Sequence, residues 1–393
     1  MDGEFTIKDK VCVVGIGETE FTKAGIITRS EFQLACEAIV KAVDDAGLKI
    51  TDIDGICSYA NDRNEAVRLA TALGIPDLAF SSMQWSGGGG GGSASVANAC
   101  AAIVAGYAKN VVAFRALAQG QFGRFGQGLG ARAERVAGQA AYTAPFGVMT
   151  AGQNLAAMQA RRHMHEFGTK HEHFGAISLA SYKHAQRNPR AIMYGRPLTM
   201  EAYLDSRWIA EPLHLFDCCL ENDGAAAAVL TSAERAKDLK QRPVYIMAAA
   251  QGNGFRYGAG AHNRPNYVTT NHDVVAPRLW KMAGIGPQDV DVAQFYENFT
   301  PLVLMSIEDY GFCEKGEGGP FVEGGRIEWP DGELPINTSG GNLAEAYIHG
   351  FELITEGVRQ MRGTSNCQVK DAEIGLVVSG PGVTPVSSLI LRR

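Results

Sequence analysis

The sequence has no apolar run of the roughly 18–20 residues that crosses a bilayer, and its start, MDGEFTIKDK, lacks the charged-then-apolar pattern of a leader. A cytoplasmic protein is expected, with no membrane partner. There is no cluster of Lys and Arg interleaved with aromatics, and 36 basic against 42 acidic residues leave a formal charge of −6. Nucleic acid is therefore excluded as a partner. No Cys-x-x-Cys pair occurs among Cys12, Cys36, Cys57, Cys100, Cys218, Cys219, Cys313 and Cys367. They read as reduced, mostly structural thiols in apolar surroundings. No G-x-x-x-x-G-K-[ST] phosphate loop is present, and GIGETE (15–20) has Glu20 where a dinucleotide fingerprint wants its third glycine. HMHEFGTKHEH (163–173) carries four histidines, but His163 and His165 are two apart on a predicted helix and share no face. A solvated helix–turn–helix is expected there, and no metal site.

What is abundant is apolar sequence in alternating patterns. With 393 residues and 46% hydrophobic content, the chain can bury a large core in two domains or two halves of one. VCVVGIG (11–17) reads as a buried strand, and 30–47 as a helix with Ser30 as N-cap, Gln33 closing a capping box and Gly47 as its stop. Strands at 55–60, 78–83 and 110–116 alternate with helices at 64–74 and 93–108, which predicts an α/β architecture with a largely parallel sheet. Between 117 and 150 the pattern dissolves into Gly, Ala and aromatics, as functional loops do. Helices are expected near 152–166 and 171–187, and a strand within 223–236. Strands at 243–252 and 291–296, helices at 272–284 and 342–361, and two closing strands repeat the earlier order, which suggests a duplication of fold. DCC (217–219), with His214, reads as a packed entry to a strand, and Asp223 as a structural turn residue.

Six glycines at 87–92 stand between a strand and a helix. A helix start after such a turn gathers backbone N–H groups and can hold an anion. Taken with VGIGETEF (14–21), IAEPLHLFDCCLENDGAAAAVL (209–230), QFYENFTP (294–301) and NTSGGNLAEAYIHG (337–350), however, the chain resembles the thiolase superfamily. The resemblance is to the branch of sterol-carrier-protein-x thiolases and the lipid-transfer proteins that act as steroid side-chain aldolases. It implies a thiolase fold of two similar βαβαβαββ halves in a five-layered αβαβα arrangement. The halves would be 1–235 and 236–393, with 117–190 as an inserted loop domain over the site.

The catalytic blocks depart from the thiolase pattern. Matching Gly92-Ser93 to the family's small pair puts Gly89 where thiolases carry their nucleophilic cysteine. Cys100 lies eleven residues on, roughly 16 Å along a helix at about 1.5 Å per residue, and does not replace it. Tyr296-Glu297-Asn298-Phe299 stands for Asn-Glu-Ala-Phe or His-Asp-Cys-Phe, and Ala346-Tyr347-Ile348-His349-Gly350 for Gly-His-Pro-x-Gly. The last family cysteine falls near Val377 to Ser379, ahead of a loop containing Gly380 and Gly382 whose amides would serve an oxyanion.

Without a thiolate there is no acyl-enzyme. Retro-aldol cleavage of a β-hydroxyacyl-CoA needs only a base for the β-hydroxyl and donors for the enolate, and phenols can supply both. The resemblance implies cleavage of a sterol or bile-acid side-chain CoA ester to a ketone and a short acyl-CoA such as propionyl-CoA. Tyr347 is assigned as base, with His349 and Glu345 as tuning groups, and Tyr296 as donor to the oxyanion or enolate; the two roles can be exchanged. Gly89, Glu297 and Asn298 are expected to line the substrate, the glycine run leaving room for a tertiary carbon. No cofactor is expected, and the partners are acyl-CoA, a second copy in a homodimer, and a small OB-fold/zinc-ribbon subunit that would hold any zinc. Two alternatives stand: a non-catalytic acyl-CoA- or lipid-binding subunit, and an acetyl-CoA acyltransferase using Cys218 or Cys313.

Overall fold

Every second residue of the central strands points to the same layer, and this period of two is what sorts the chain into layers. The structure is a computed structural model that describes residues 6–60, 62–85, 88–122, 152–255 and 266–393. In chain order the first elements are β1 (Val11–Glu18), β2 (Thr22–Lys23), α1 (Glu31–Ala46), β3 (Gly55–Tyr59), α2 (Ala66–Leu73), β4 (Phe80–Gln84), α3 (Gly91–Val104) and β5 (Asn110–Ala118). Then come α4 (Gln119–Phe122), α5 (Gly152–Phe167), α6 (His171–Ala185), α7 (Met200–Leu204), the short pair β6 (Trp208–Ala210) and β7 (Leu213–His214), β8 (Asn222–Ser232) and α8 (Ala233–Ala236). The remainder is β9 (Val244–Gly252), α9 (Ala276–Ala283), β10 (Val292–Gln294), α10 (Thr300–Asp309), α11 (Gly318–Val322), α12 (Gly341–Ala344), α13 (Phe351–Arg362), β11 (Ile374–Ser379) and β12 (Val386–Arg392).

The main sheet runs β10-β11-β12-β9-β1-β8-β5-β3-β4, with β2 paired to β8. The expectation of a largely parallel sheet is corrected: β3·β4, β3·β5 and β10·β11 are parallel, and the other pairings among the described residues are antiparallel. The reason lies in the connections. β8 returns after the long insertion to pair antiparallel with β1 and β5, and β12 follows β11 as a hairpin, so neither β8 nor β12 is reached by a right-handed βαβ crossover.

The expected duplication is visible in the pairing. β1, β8, β5 and β3 stand in the same order and directions as β9, β12, β11 and β10, and a parallel bridge of Ala293 to Ile336 takes the place that β4 has beside β3. The two halves join edge to edge where Cys12 and Val13 pair with Tyr245 and Val244. Helix α1 covers β1, β8 and β5 from outside, α9 covers β9 and β12, and α3 and α13 lie between the halves, touching strands of both. That is a five-layered αβαβα body. Cys12, Val14, Val112, Phe114 and Ala227 face the α1 layer, whereas Val11, Val13, Val111, Ala113 and Ala226 face the middle one.

Local signals place the elements. Ser30 Oγ accepts from Gln33 N at 3.2 Å, Gln33 Oε1 accepts from Ser30 N at 2.9 Å, and Gly47 ends α1 at φ 75°. Gly15 and Gly17 let α1 sit directly on β1: a Cβ at Gly17 meets the backbone of Ala38 and Ala42. The G-x-G of this segment is a packing device. The expected helix over 342–361 is two helices, because residues 345–350 break away to carry side chains into the middle layer.

The histidine segment is also corrected. His163 is fully buried, its Nδ1 at 2.8 Å from Thr169 Oγ1 and its Nε2 at 3.0 Å from Glu308, and His173 pairs with Glu323 at 3.1 Å. Among the described residues no group of three or more possible metal ligands occurs, and no helix is long and apolar enough to cross a membrane. Of the 117–190 insertion, 123–151 lies outside the described residues; the rest is mainly α5 and α6, which pack on α10.

Replacing Gly17 by Ala is expected to cost about 1–3 kcal/mol or more, because the added methyl has only backbone to displace. Urea unfolding checks it, as a lower midpoint at unchanged slope.

Candidate active site

Both middle-layer helices start at the same place. α3 begins after a tight turn at Gly88–Gly90, and α13 begins after His349 and Gly350, which are both left-handed (φ 54° and 83°). Two of the first four donors of α3 are already satisfied: Ser93 N donates to Ser379 Oγ at 3.1 Å and Ala94 N to Ser387 Oγ at 3.0 Å. Two N–H groups that an anion would need are thereby consumed. Ser379, near which the family's last cysteine falls, is a helix cap here, with its hydroxyl 2.8 Å from that of Ser93.

Tyr296 follows β10 and Tyr347 lies in the 345–350 break, fifty-one residues apart in sequence. Each is pinned through its backbone. Phe295 N donates to Asn337 Oδ1 at 2.7 Å and Glu297 N to Asn342 Oδ1 at 3.1 Å, while Tyr347 N donates to Asn222 Oδ1 at 2.6 Å. The two phenols then meet directly, Oη to Oη at 2.6 Å, with the rings edge-on at 70°.

The glycines explain why this pair fits. A Cβ built at Gly89 falls on Cε2, Cζ and the hydroxyl of Tyr296, and one at Gly350 lies 2.7 Å from Cε2 of the same ring. The tips of α3 and α13 therefore grip the Tyr296 ring between them. The expectation of open room beside Gly89 is corrected: the tyrosine phenol fills that volume, and a side chain at 89 excludes it.

The other expected residues are distributed around this pair. His349 places its ring 5.5 Å from that of Tyr347. Gly380 (φ 67°) brings the β11–β12 turn onto the Gly90 backbone, and Gly382 N donates to Thr270 O at 3.1 Å, which holds that turn down. Glu297 turns its carboxyl to Gly341 and Ser181, and Asn298 Oδ1 accepts from Phe299 N at 3.1 Å. Glu345 is expected as a tuning group, but it faces the insertion, accepting from Asn188 Nδ2 at 2.7 Å and Arg190 at 3.1 Å.

Burial governs the electrostatics. It pushes the phenols of Tyr296 and Tyr347 well above 10.0, and for Tyr347 the charge of Arg115 acts in the opposite direction. It drives His349 well below 6.5, assisted by Arg115, so the imidazole is neutral. Glu297 rises to about 8 and Glu352 well above its usual value, both from burial. Burial likewise lifts the thiols: Cys313 to about 12, and Cys218 and Cys219 well up. No candidate thiolate is stabilised, which argues against the acyltransferase alternative.

Asp217 is a structural hub that accepts from Tyr203 at 2.8 Å and from His214 N at 2.7 Å, and Asp223 accepts from Gly25 N and Gly120 N. Sequence reasoning missed Tyr59, Arg115, Asn222 and Asn342. Tyr59 and Arg115 lie in apolar strands and look like core, whereas Asn342 stands inside the NTSGGNLAEAYIHG block and was visible there.

The comparisons with known proteins bear on this arrangement. Residues 257–393 match the family model described as "Thiolase C-terminal domain-like". A 17-hydroxy-3-oxo-4-pregnene-20-carboxyl-CoA lyase of Mycobacterium tuberculosis is 46% identical, over 98% of this chain and 100% of that protein. The chain belongs to the thiolase superfamily. Within the superfamily it is also 43% identical to a steroid side-chain-cleaving aldolase of Thermomonospora curvata, over 96% of this chain and 97% of that one. A solved structure described as "Ltp2-ChsH2(DUF35) aldolase" superposes with a TM-score of 0.90 at 40% identity, covering 99% of both chains. The thiolase fold expected from the motifs is therefore shown, and the five layers above are its layers.

Two outcomes follow from the geometry. Gly89→Ala is expected to lower turnover at least a hundredfold, the low end of what a positioned acid or base contributes, because Tyr296 must move. Steady-state assay with circular dichroism as a fold check measures it. Glu297 binds its proton more tightly folded than unfolded, so its contribution to stability is full below pH 4.5 and declines as pH rises toward about 8. Glu297→Gln should flatten that decline in thermal melts across the same window.

Proposed function

We propose that this protein is a carbon–carbon lyase that cleaves a steroid side-chain β-hydroxyacyl-CoA by a retro-aldol step, giving a ring ketone and a short acyl-CoA such as propionyl-CoA. The observation that carries this reading is the Tyr296–Tyr347 hydroxyl pair at 2.6 Å, seated in the volume that a side chain at Gly89 would need. The lyase and aldolase names of the relatives at 46% and 43% identity support it. Random loss of thiolase residues, the non-catalytic alternative, gives no reason for two hydroxyls to meet there.

The chemistry suits a site that tolerates little charge. Burial makes a lasting phenolate costly on either tyrosine. A relay avoids one: the β-hydroxyl proton passes to Tyr347 Oη, the proton of Tyr347 passes to Tyr296, and Tyr296 delivers its own to the enolate as the Cα–Cβ bond breaks. Atoms and charge balance, and no external reagent is consumed. Tyr347 is assigned the accepting end because, although burial and nearby Cys219 and Glu352 raise its phenol, the hydrogen bond with Tyr296 and the Arg115 charge act against that rise, whereas burial, Tyr347, Cys219 and Tyr59 all raise Tyr296. Amides of the Gly88–Gly90 turn, and of the Gly380 turn packed on Gly90, are the donors proposed for the thioester oxygen.

Partners belong to the same proposal. Among the described residues β4 is an unpaired edge, and Met83, Trp85 (70% exposed) and Tyr107 (67% exposed) stand open beside it, which suits a second copy adding its own β4. The similar solved aldolase carries two components in its name, Ltp2 and ChsH2(DUF35), and a small OB-fold/zinc-ribbon subunit, holding any zinc, is the partner proposed here.

Cleavage should proceed without free CoA, read by mass spectrometry of ketone and acyl-CoA from a tertiary β-hydroxyacyl-CoA; a requirement for free CoA would overturn the lyase reading. Tyr347→Phe and Tyr296→Phe should each lower kcat by about a hundredfold or more while the fold is kept.

A further inference from the structure

Tyr296 has a counterpart in the other half of the fold. β3 and β10 occupy corresponding places, and each leads to a buried tyrosine, Tyr59 as the last residue of β3 and Tyr296 two residues beyond β10. Tyr296 lies against Gly350 at the tip of α13; Tyr59 lies against Gly91 at the tip of α3, where a Cβ would be 2.7 Å from its Cδ2. The Tyr59 hydroxyl then crosses between the halves. It donates to His349 O at 2.9 Å, and Ile348 O is 3.4 Å away.

Those two carbonyls belong to the strained turn that carries Tyr347 and His349. His349 is left-handed at φ 54° without being glycine, a conformation that persists only where surrounding structure imposes it. Tyr59 is itself tightly fixed. Its ring stacks 6.3 Å from that of Phe351, and its carbonyl accepts from Arg115 at 3.2 Å. The same Arg115 nitrogen donates to Asp62 at 2.7 Å, and Asp62 in turn accepts from Asn64 N at 2.8 Å. Arg115 and Asp62 are both buried, so the chain Asn64–Asp62–Arg115–Tyr59–His349 is a rigid link from the first half to a turn of the second.

We propose that Tyr59 is a positioning residue for the lyase site, its hydroxyl fixing the His349 peptide and thereby aiming the Tyr347 phenol at Tyr296. This rests on the function proposed above, and it assigns no chemistry to Tyr59. The test is Tyr59→Phe, which keeps the stacked ring and removes the one hydroxyl. The expected result is a fall in kcat of about tenfold, what one hydrogen bond is worth, with KM for the acyl-CoA within about twofold. In the Tyr347→Phe background the same change should cost nothing further. Asp62→Asn, which loosens Arg115 without touching the ring, should show a smaller loss of the same kcat-only kind.

A wild-type kcat in both Tyr59→Phe and Asp62→Asn overturns the proposal, as does a loss that persists in full when Tyr347 is already Phe. The single Tyr347→Phe variant separates the two readings: wild-type rates there sink the proposed function, whereas a large loss there with neutral Tyr59→Phe sinks only the tether.

Discussion

A hydrogen bond between two phenols in the dry layer between two sheet halves is the constraint to which the site is fitted. For Tyr296 and Tyr347 to meet at 2.6 Å, the ring of Tyr296 must pass between two helix tips. That passage exists because Gly89 and Gly350 present no Cβ to it. The helix tips in turn are held by groups from the opposite half: Ser379 and Ser387 cap α3, and Tyr59 holds the turn before α13. Each half of the duplicated fold thus completes the active-site helix of the other, and neither tip is finished without its partner half.

Burial makes this site nearly free of charge. The phenols are pushed up, His349 is pushed down, and Glu297 and Glu352 are pushed toward their neutral forms. Arg115 is the buried cation beside them, and Asp62 balances it. An environment of this kind disfavours a thiolate nucleophile and suits a proton shuffle that begins and ends neutral. The substitution of tyrosines for thiolase residues is therefore a change of electrostatic regime as well as of side chain.

Much of this was legible in residue order. The capping box of α1, the short apolar runs of β1, β5 and β8, and the repeated element order all rest on local propensity and pattern, which act within a few residues. Tyr296 and Tyr347 were legible as a pair because each stands inside a block whose spacing resembles a family motif. The histidine segment was misread for the opposite reason. Its polarity looks like a solvated surface, whereas Glu308, more than a hundred residues away, satisfies His163 in the core. Likewise 342–361 has helical composition throughout, and tertiary contacts from Asn222 and Tyr59 accompany its break at 345–350.

By itself the sequence determined that there is no nucleophile at the tip of α3, that two hydroxyls stand in its catalytic blocks, and that the chain is built of two alike halves. The first two follow from residue identity set against the motifs of the family the chain resembles, the third from the repeated element order, and none needs knowledge of distant contacts. Tertiary structure alone decided where the volume freed by Gly89 went. Sequence pointed to an open space for substrate, and packing filled it with the Tyr296 ring, because a dense interior does not leave a cavity beside an aromatic side chain that can reach it.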